Sequence, residues 1–274
     1  MADAVADAVT PGTARRTTAR RMPRTTDPGP TLVGVDWSDY DAALFDLDGV
    51  VTPTAEVHMR AWAEMFSDFL ASWDGDGDTS PYTDQDYFDH VDGKPRFDGV
   101  RDFLAARGIE LPEGDDDAPA GEVSVRGLGN RKNDAFNEVL ERDGVEAFPG
   151  SVALLDHLRD LGMPLAVVSS SANAPSVLRT AGLLDRFATV VDGRVAKELG
   201  LPGKPAPDTF AHAAAVLEVP DSRAVVLEDA TSGVRAGRAG AFGLVVGVDR
   251  GAGADALRAA GADVVVGDLQ ELVP

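Results

Sequence analysis

The chain reads as a doubly wound α/β protein, a parallel sheet covered by helices on both faces, with a helical domain inserted near its start. Three observations carry this reading. From residue 149 onward, short apolar runs alternate with helix-length segments, the rhythm of βαβ units. One more such run, "ALFDL" (43–47), stands alone far upstream. The stretch between them, residues 54–145, breaks the rhythm and is largely helical in pattern.

Residues 1–36 are rich in Ala, Thr, Pro and Arg, with "ARRTTARRMPR" at 14–24 and no hydrophobic period. They are expected to form a disordered extension, because such a segment buries too little apolar surface to offset the entropy of ordering. An organelle transit peptide shares this composition, but Asp3, Asp7 and Asp27 speak against one. "ALFDL" is a continuous apolar run that suits a central parallel strand. After it, Val57, Ala61, Met65 and Phe69 recur at helical spacing and predict a helix over 55–71. Two acidic, turn-rich stretches follow, at 73–86 and 111–122, with helices expected around 98–107 and 131–143. Asp74, Asp76 and Asp78 imitate the opening of a calcium loop, yet Thr79 stands where such a loop needs Gly and Gln85 where it needs Glu. A solvated acidic loop is the better reading. Beyond Pro149, helices are expected at 150–161, 174–182, 207–217, 232–240 and 254–260. Strands are expected at 164–169, 187–191, 224–228, 244–248 and 263–266. The core domain then comprises 37–53 and 146–274, and 54–145 is the insert.

Composition narrows the function. The chain has 274 residues, room for two modest domains, and no cysteine, which excludes disulfides and thiolate metal sites. Its net charge of -21 argues against nucleic acid as a partner. No apolar run is long enough to span a bilayer and no signal-peptide core precedes the fold, so a cytoplasmic enzyme is expected. A monomer, or at most a weak homodimer, is the expected state. Lysine occurs only at 94, 132, 197 and 204. An anionic substrate must therefore be held by a few placed cations against the overall field.

Four polar clusters fall where doubly wound sheets bind ligands, beyond the carboxyl ends of strands. They are "DLD" (46–48), "SSSAN" (169–173), "GKPAPD" (203–208) and "ED" (228–229). Singly, each has an ordinary structural reading: a turn, a helix cap, a proline at a helix start, an acidic pair facing a helix dipole. Together they suit phosphoryl transfer. Asp46 can attack phosphorus to form an aspartyl phosphate. Asp46, Glu228 and Asp229 supply the oxygen donors that Mg²⁺ prefers, and the cation would relieve repulsion between carboxylate and phosphate. Lys204 would neutralise charge as the phosphoryl group moves, and Ser169 with the following helix start offers donors to phosphate oxygens. Asp48, two residues on from Asp46, suits a general acid/base.

In this order the motifs Asp46-Leu-Asp48-Gly-Val, Ser169, Lys204-Pro-Ala-Pro-Asp208 and Glu228-Asp229 resemble the haloacid dehalogenase-like superfamily. Insertion of helices directly after the first motif is similar to its cap type 1 members. The cap itself resembles that of sugar-phosphate mutases: Thr54 at the hinge with His58 and Trp62 following, Arg96 in "VDGKPRFDG" and Lys132 in "NRKN". The resemblance implies that Mg²⁺ is held by Asp46, Glu228, Asp229 and the carbonyl of Asp48. It implies that Ser169 and Lys204 hold the transferring phosphoryl group. Arg96, Ser171 and Asn173 would then bind the substrate's other phosphate or nearby hydroxyls, while Lys132 and His58 position sugar and acid/base. The implied reaction interconverts β-D-glucose 1-phosphate and glucose 6-phosphate through a 1,6-bisphosphate. Ala172, where some mutases carry lysine, and the two acidic cap loops depart from the pattern and bear on which sugar is used. A sugar-phosphate phosphatase shares the first half-reaction and is the alternative, and a non-catalytic regulatory domain is the third reading.

Overall fold

The computed structural model describes residues 34–274 apart from residue 116. The chain alternates as predicted: β1 (Ala42–Phe45), α1 (Thr54–Ser72), α2 (Asp84–Asp86), α3 (Arg96–Ala106), α4 (Val125–Asp143) and α5 (Pro149–Asp160). Then come β2 (Leu165–Val168), α6 (Ala174–Thr180), β3 (Thr189–Val191), α7 (Gly193–Leu199), α8 (Asp208–Val216), β4 (Ala224–Glu228), α9 (Thr231–Ala239), β5 (Leu244–Val248), α10 (Ala254–Ala260) and β6 (Val264–Val266). The six strands form one sheet in the order β3-β2-β1-β4-β5-β6, every pair parallel. The strands read as unbroken apolar runs because the sheet is covered twice. Side chains alternate between faces, so Ala43, Phe45, Val225 and Leu227 enter one apolar layer while Ala42, Leu44, Ala224 and Val226 enter the other. The order turns back on either side of β1, which opens a crevice beyond the carboxyl ends of β1 and β4.

The helices between β1 and β2 gather a third apolar cluster of their own, built on Trp62, Phe66, Phe69, Phe103 and Leu128. Phe66 and Phe103 have ring centroids 3.9 Å apart. Arg107, buried, donates to the carbonyl of Ser80 and to Asp86, tying the first acidic stretch to α3. Trp62 packs within this cluster.

Several boundaries differ from the sequence reading. α4 starts at Val125 and not near 131, capped by Ser124, whose Oγ accepts from Gly127 N. Its two early glycines disguise it; they serve close packing, since a Cβ at Gly129 would lie 2.7 Å from the Phe97 ring. Lys132 is consequently well inside the helix and not at its start, and it is buried. α7 was not anticipated: its seven residues carry three charges and no apolar period, and Asp192 caps it by accepting from Arg194 N and Val195 N. The first acidic stretch ends in α2, which has a Thr83–Asp86 capping box and runs into a π-helical turn at Tyr87–Val91. The expected N-terminal extension lies, up to residue 33, outside the described residues.

Candidate active site

β1 ends at Phe45, and the ladder continues one residue further because Asp46 N donates to Leu227 O at 2.9 Å. That pairing sets the Asp46 carboxylate beside Glu228, the last residue of β4. The Lys204 ammonium joins them, donating to Asp46 Oδ1 at 2.5 Å, Glu228 Oε1 at 2.6 Å and Val168 O at 3.0 Å. Asp229 completes the group: carboxylate oxygens of Asp46, Glu228 and Asp229 lie within 4.8 Å of one another. Gly49 makes room for Asp229, at φ +91°, where a Cβ would fall 1.8 Å from Asp229 Oδ2.

Three carboxylates with one ammonium leave this cluster short of positive charge. Burial pushes the Asp46 carboxyl well above its ordinary value, Lys204 pulls against that, and the charges of Glu228 and Asp48 push with it. Asp229 is raised in the same way, by burial first and then by the charges of Asp92 and Glu228. A small divalent cation taking one oxygen from each residue would restore the balance, and an all-oxygen carboxylate set suits a hard ion. The residues fit the group that the family pattern implies.

Asp48 sits on the other side of Asp46. It accepts from Thr54 Oγ1 at 2.5 Å and from Ser169 Oγ at 3.3 Å, and His58 Nε2 lies 3.3 Å away. Burial opposes its charge, but His58 and Thr54 outweigh burial and hold its pKa down to about 2. Behind His58, the Lys132 ammonium contacts Nδ1. Burial lowers Lys132 to about 7 and also lowers His58. The His58 ring stacks on Phe136 with centroids 4.0 Å apart, and Lys132 Nζ lies 5.0 Å above Trp62. The motif aspartate is thus backed by a row of three side chains drawn from α1 and α4.

A cavity of about 580 Å³ opens over both groups. Asp46, Asp48, His58, Lys132, Ser169, Glu228 and Asp229 line it, and Arg96, Ser171 and Asn173 line it too. Thr54 is buried behind Asp48, and Lys204 beneath Asp46. Arg96 is the first residue of α3. At the core wall, Ser169 Oγ accepts from Ser171 N at 3.1 Å and Ser171 Oγ from Asn173 N at 3.2 Å. The Asn173 amide donates across the cavity to Asn133 Oδ1 at 2.9 Å.

Sequence reasoning missed four participants. Asp92 lines the cavity near Glu228, and burial with the Glu228 charge raises its pKa to about 7. Tyr87 lies beside Asp92. Ser170 Oγ donates to Gly93 O at 2.8 Å, and Ser232 Oγ donates to Asp92 O at 3.1 Å. These two bonds fasten the turn at 91–95 to the sheet side of the cavity. The "DG" pair at 92–93 signals a turn, whereas nothing local marks Tyr87 or Ser232.

Carboxylates at a topological switch point, with a buried lysine between them, define a phosphoryl-transfer class of α/β enzyme. A family model for haloacid dehalogenase-like hydrolases matches residues 40–240, and the chain belongs to that family. The chain is 50% identical over 239 residues to beta-phosphoglucomutase of Mycobacterium tuberculosis (strain CDC 1551 / Oshkosh), covering 85% of this chain and 91% of that protein. It is 32% identical over 233 residues to beta-phosphoglucomutase of Bacillus subtilis (strain 168), covering 84% and 91%. The crystal structure of a beta-phosphoglucomutase from Clostridium difficile superposes with a TM-score of 0.69 at 23% identity, covering 85% of this chain and 93% of that one. This last likeness concerns the fold alone. Among the described residues, no helix is long and apolar enough to cross a membrane.

Proposed function

We propose that the protein is a Mg²⁺-dependent phosphomutase that isomerises β-D-glucose 1-phosphate to glucose 6-phosphate through a 1,6-bisphosphate. The observation that carries this is one cavity lined by more cationic and polar groups than a single phosphate needs. Asp46 and Ser169 line it together with Arg96, Ser171 and Asn173, and Lys204 lies against Asp46. A phosphatase needs only the groups around Asp46, whereas a mutase needs further groups to grip the second phosphate of a bisphosphate. The 50% identity to a named mutase supports the same reading.

In one half-reaction, a sugar hydroxyl attacks the phosphorus of phosphorylated Asp46, the phosphorus–Asp46 oxygen bond breaks, and the hydroxyl proton passes to Asp48. In the return transfer, the freed Asp46 carboxylate attacks the other phosphorus of the bisphosphate, the phosphorus–sugar oxygen bond breaks, and the sugar oxygen takes that proton back from Asp48. Held near pKa 2, Asp48 rests ionised, ready to accept a proton from an attacking hydroxyl. Thr54 and His58 position its Oδ1, Ser169 its Oδ2, and Lys132 braces His58. Lys204 offsets charge on the transferring group. Asp46, Glu228, Asp229 and the carbonyl of Asp48 would hold Mg²⁺, which supplies charge neutralisation between carboxylate and phosphate. Residues 54–145 serve as a cap over a core of 37–53 and 146–274. Closure of that cap would exclude water, so the phosphoryl group passes to a sugar hydroxyl.

The test is a paired assay on β-glucose 1-phosphate with Mg²⁺ and a trace of the 1,6-bisphosphate. Glucose 6-phosphate and free phosphate are followed together. Glucose 6-phosphate forming at least tenfold faster than free phosphate is the expected result. Free phosphate as the main product would make the protein a phosphatase and overturn the proposal.

A further inference from the structure

The cap turn at 91–95 carries a carboxylate to the end of the cavity where Asp46, Glu228 and Asp229 gather. The core grips this turn by its backbone: Ser232 Oγ donates to Asp92 O and Ser170 Oγ to Gly93 O. Two glycines let the surfaces meet. A Cβ at Gly93, at φ +68°, would fall 2.2 Å from Ser232 Oγ and 3.0 Å from Ala230 Cβ. One at Gly203 would fall 2.4 Å from Pro95 Cγ. The turn therefore lies directly on the residues that follow Asp229. Its Asp92 lines the main cavity with Asp46, Glu228 and Asp229. Asp92 and Asp229 also share the wall of a second cavity of about 50 Å³, which reaches Ala55 and Glu56 at the start of α1.

Docking of the turn has an electrostatic cost. Lys204 is already shared between Asp46 and Glu228. Burial and the Glu228 charge push the Asp92 carboxyl up to about 7, against the pull of Tyr87, Lys204 and Lys94. In return, Asp92 is, after burial, the largest charge raising Asp229. Each carboxylate penalises the other, as like charges brought together out of water do. Without a cation, the two serine hydroxyls hold the turn down against that repulsion. A divalent ion changes the balance. Three carboxylates with one ammonium leave two negative charges, and such an ion cancels both. Asp92 is not among the carboxylates whose oxygens gather within 4.8 Å. It acts on the ion by charge across the site and not as a ligand.

We propose that Asp92 couples the cap to the metal: its carboxylate opposes docking of the turn at 91–95 on a metal-free core and favours it once Asp46, Glu228 and Asp229 hold a divalent cation. The coupling is reciprocal, so a docked cap also tightens metal binding by the same factor. The inference rests on the proposed Mg²⁺ site and not on the identity of the sugar. Its consequence is order. The cap encloses a phosphate ester on a core that already carries the ion, and rests undocked on one that does not.

The chain has no cysteine, so dyes on Glu64→Cys in the cap and Asp185→Cys in the core, both exposed, report docking by energy transfer in the full chain. Mg²⁺ alone, titrated from EDTA, should raise the docked population of the otherwise wild-type protein. Asp92→Asn keeps the shape and removes the charge. It should be docked already in EDTA and respond to Mg²⁺ much less. A purely structural Asp92 gives the opposite, an undocked Asn variant in both conditions, and overturns the inference; so does a variant that responds like the wild type. The paired variant Ser170→Ala/Ser232→Ala keeps every carboxylate and loosens the grip, and it tests the coupling even if Asp92→Asn fails to fold. Its Mg²⁺ affinity by calorimetry should fall about 3- to 10-fold, within the range for lost hydrogen bonds read through such coupling. Unchanged affinity overturns the inference. A wild type that binds no Mg²⁺ removes the proposed metal site and this inference together, whereas one that binds Mg²⁺ without docking removes the inference alone.

Discussion

Lys204→Met removes one ammonium and nothing else of comparable size. In the wild type that ammonium lies 2.5 Å from Asp46 Oδ1 and 2.6 Å from Glu228 Oε1, and its side chain is 2% exposed. The substitution leaves two buried carboxylates facing each other. Stripping one partner from a buried ion pair costs about 3–5 kcal/mol, because the remaining charge keeps its desolvation penalty without its compensation. For a chain of this size, a loss of that order lowers Tm by roughly 6–20 °C. The measurement is thermal unfolding of both proteins in excess EDTA and again in millimolar Mg²⁺. The variant should melt well below the wild type in EDTA and recover more than the wild type does on adding metal, since a divalent cation takes over part of the lost charge. Isomerase kcat should fall about 10²- to 10³-fold, the range for losing a placed electrostatic stabiliser. A loss of less than about 1 kcal/mol in EDTA, or equal metal stabilisation in both proteins, would refute the reasoning.

Other substitutions probe the remaining groups. Asp46→Asn should abolish isomerisation and phosphate release together; residual turnover of either kind in a quenched-flow assay would remove the covalent step. Gly49→Ala places a methyl group against Asp229 at a positive φ. It should weaken Mg²⁺ affinity at least tenfold by calorimetry, and unchanged affinity would place the metal elsewhere. Arg96→Ala should lower kcat/KM for glucose 1-phosphate at least tenfold more than for a small aryl phosphate; equal losses would make Arg96 structural. Lys132 titrates near 7 when folded, against about 10.4 unfolded. The unfolded chain binds the extra proton between those values, so this lysine's penalty is full below pH 7 and fades as pH rises toward 10. Lys132→Met should accordingly be more stable than the wild type at pH 6, by on the order of a few kcal/mol, with the gain shrinking by pH 9. Denaturant titrations at the two pH values check this, and a gain independent of pH would mean that packing dominates.

The strands and the acidic crevice were legible because parallel strands buried on both faces must be apolar throughout. Charged residues at their ends therefore stand out. Asp46, Ser169, Glu228 and Asp229 each interrupt such a run or follow it. Less legible was anything set by packing between elements far apart in sequence. The low helix propensity of Gly127 and Gly129 hides the start of α4, and the two glycines are explained only by what lies against that helix, the Glu122 carbonyl at Gly127 and the Phe97 ring at Gly129. α7 is too short and too charged to show a period. Tyr87 and Ser232 bear on the site only because the turn at 91–95 meets the sheet side, a contact that no local pattern encodes.

The parallel order of the sheet also bears on how the protein is born. Lys204 follows Asp46 by 158 residues, and Glu228 comes later still. At about 5–20 residues per second, a ribosome releases Asp46 roughly 10–30 s before the lysine that pairs with it in the fold. Meanwhile β1 lacks β4, the neighbour against which Asp46 is set. A nascent or prematurely ended chain therefore carries Asp46 without the lysine and the two carboxylates that gather around it in the full fold. The proposed site is therefore assembled only once synthesis has passed β4.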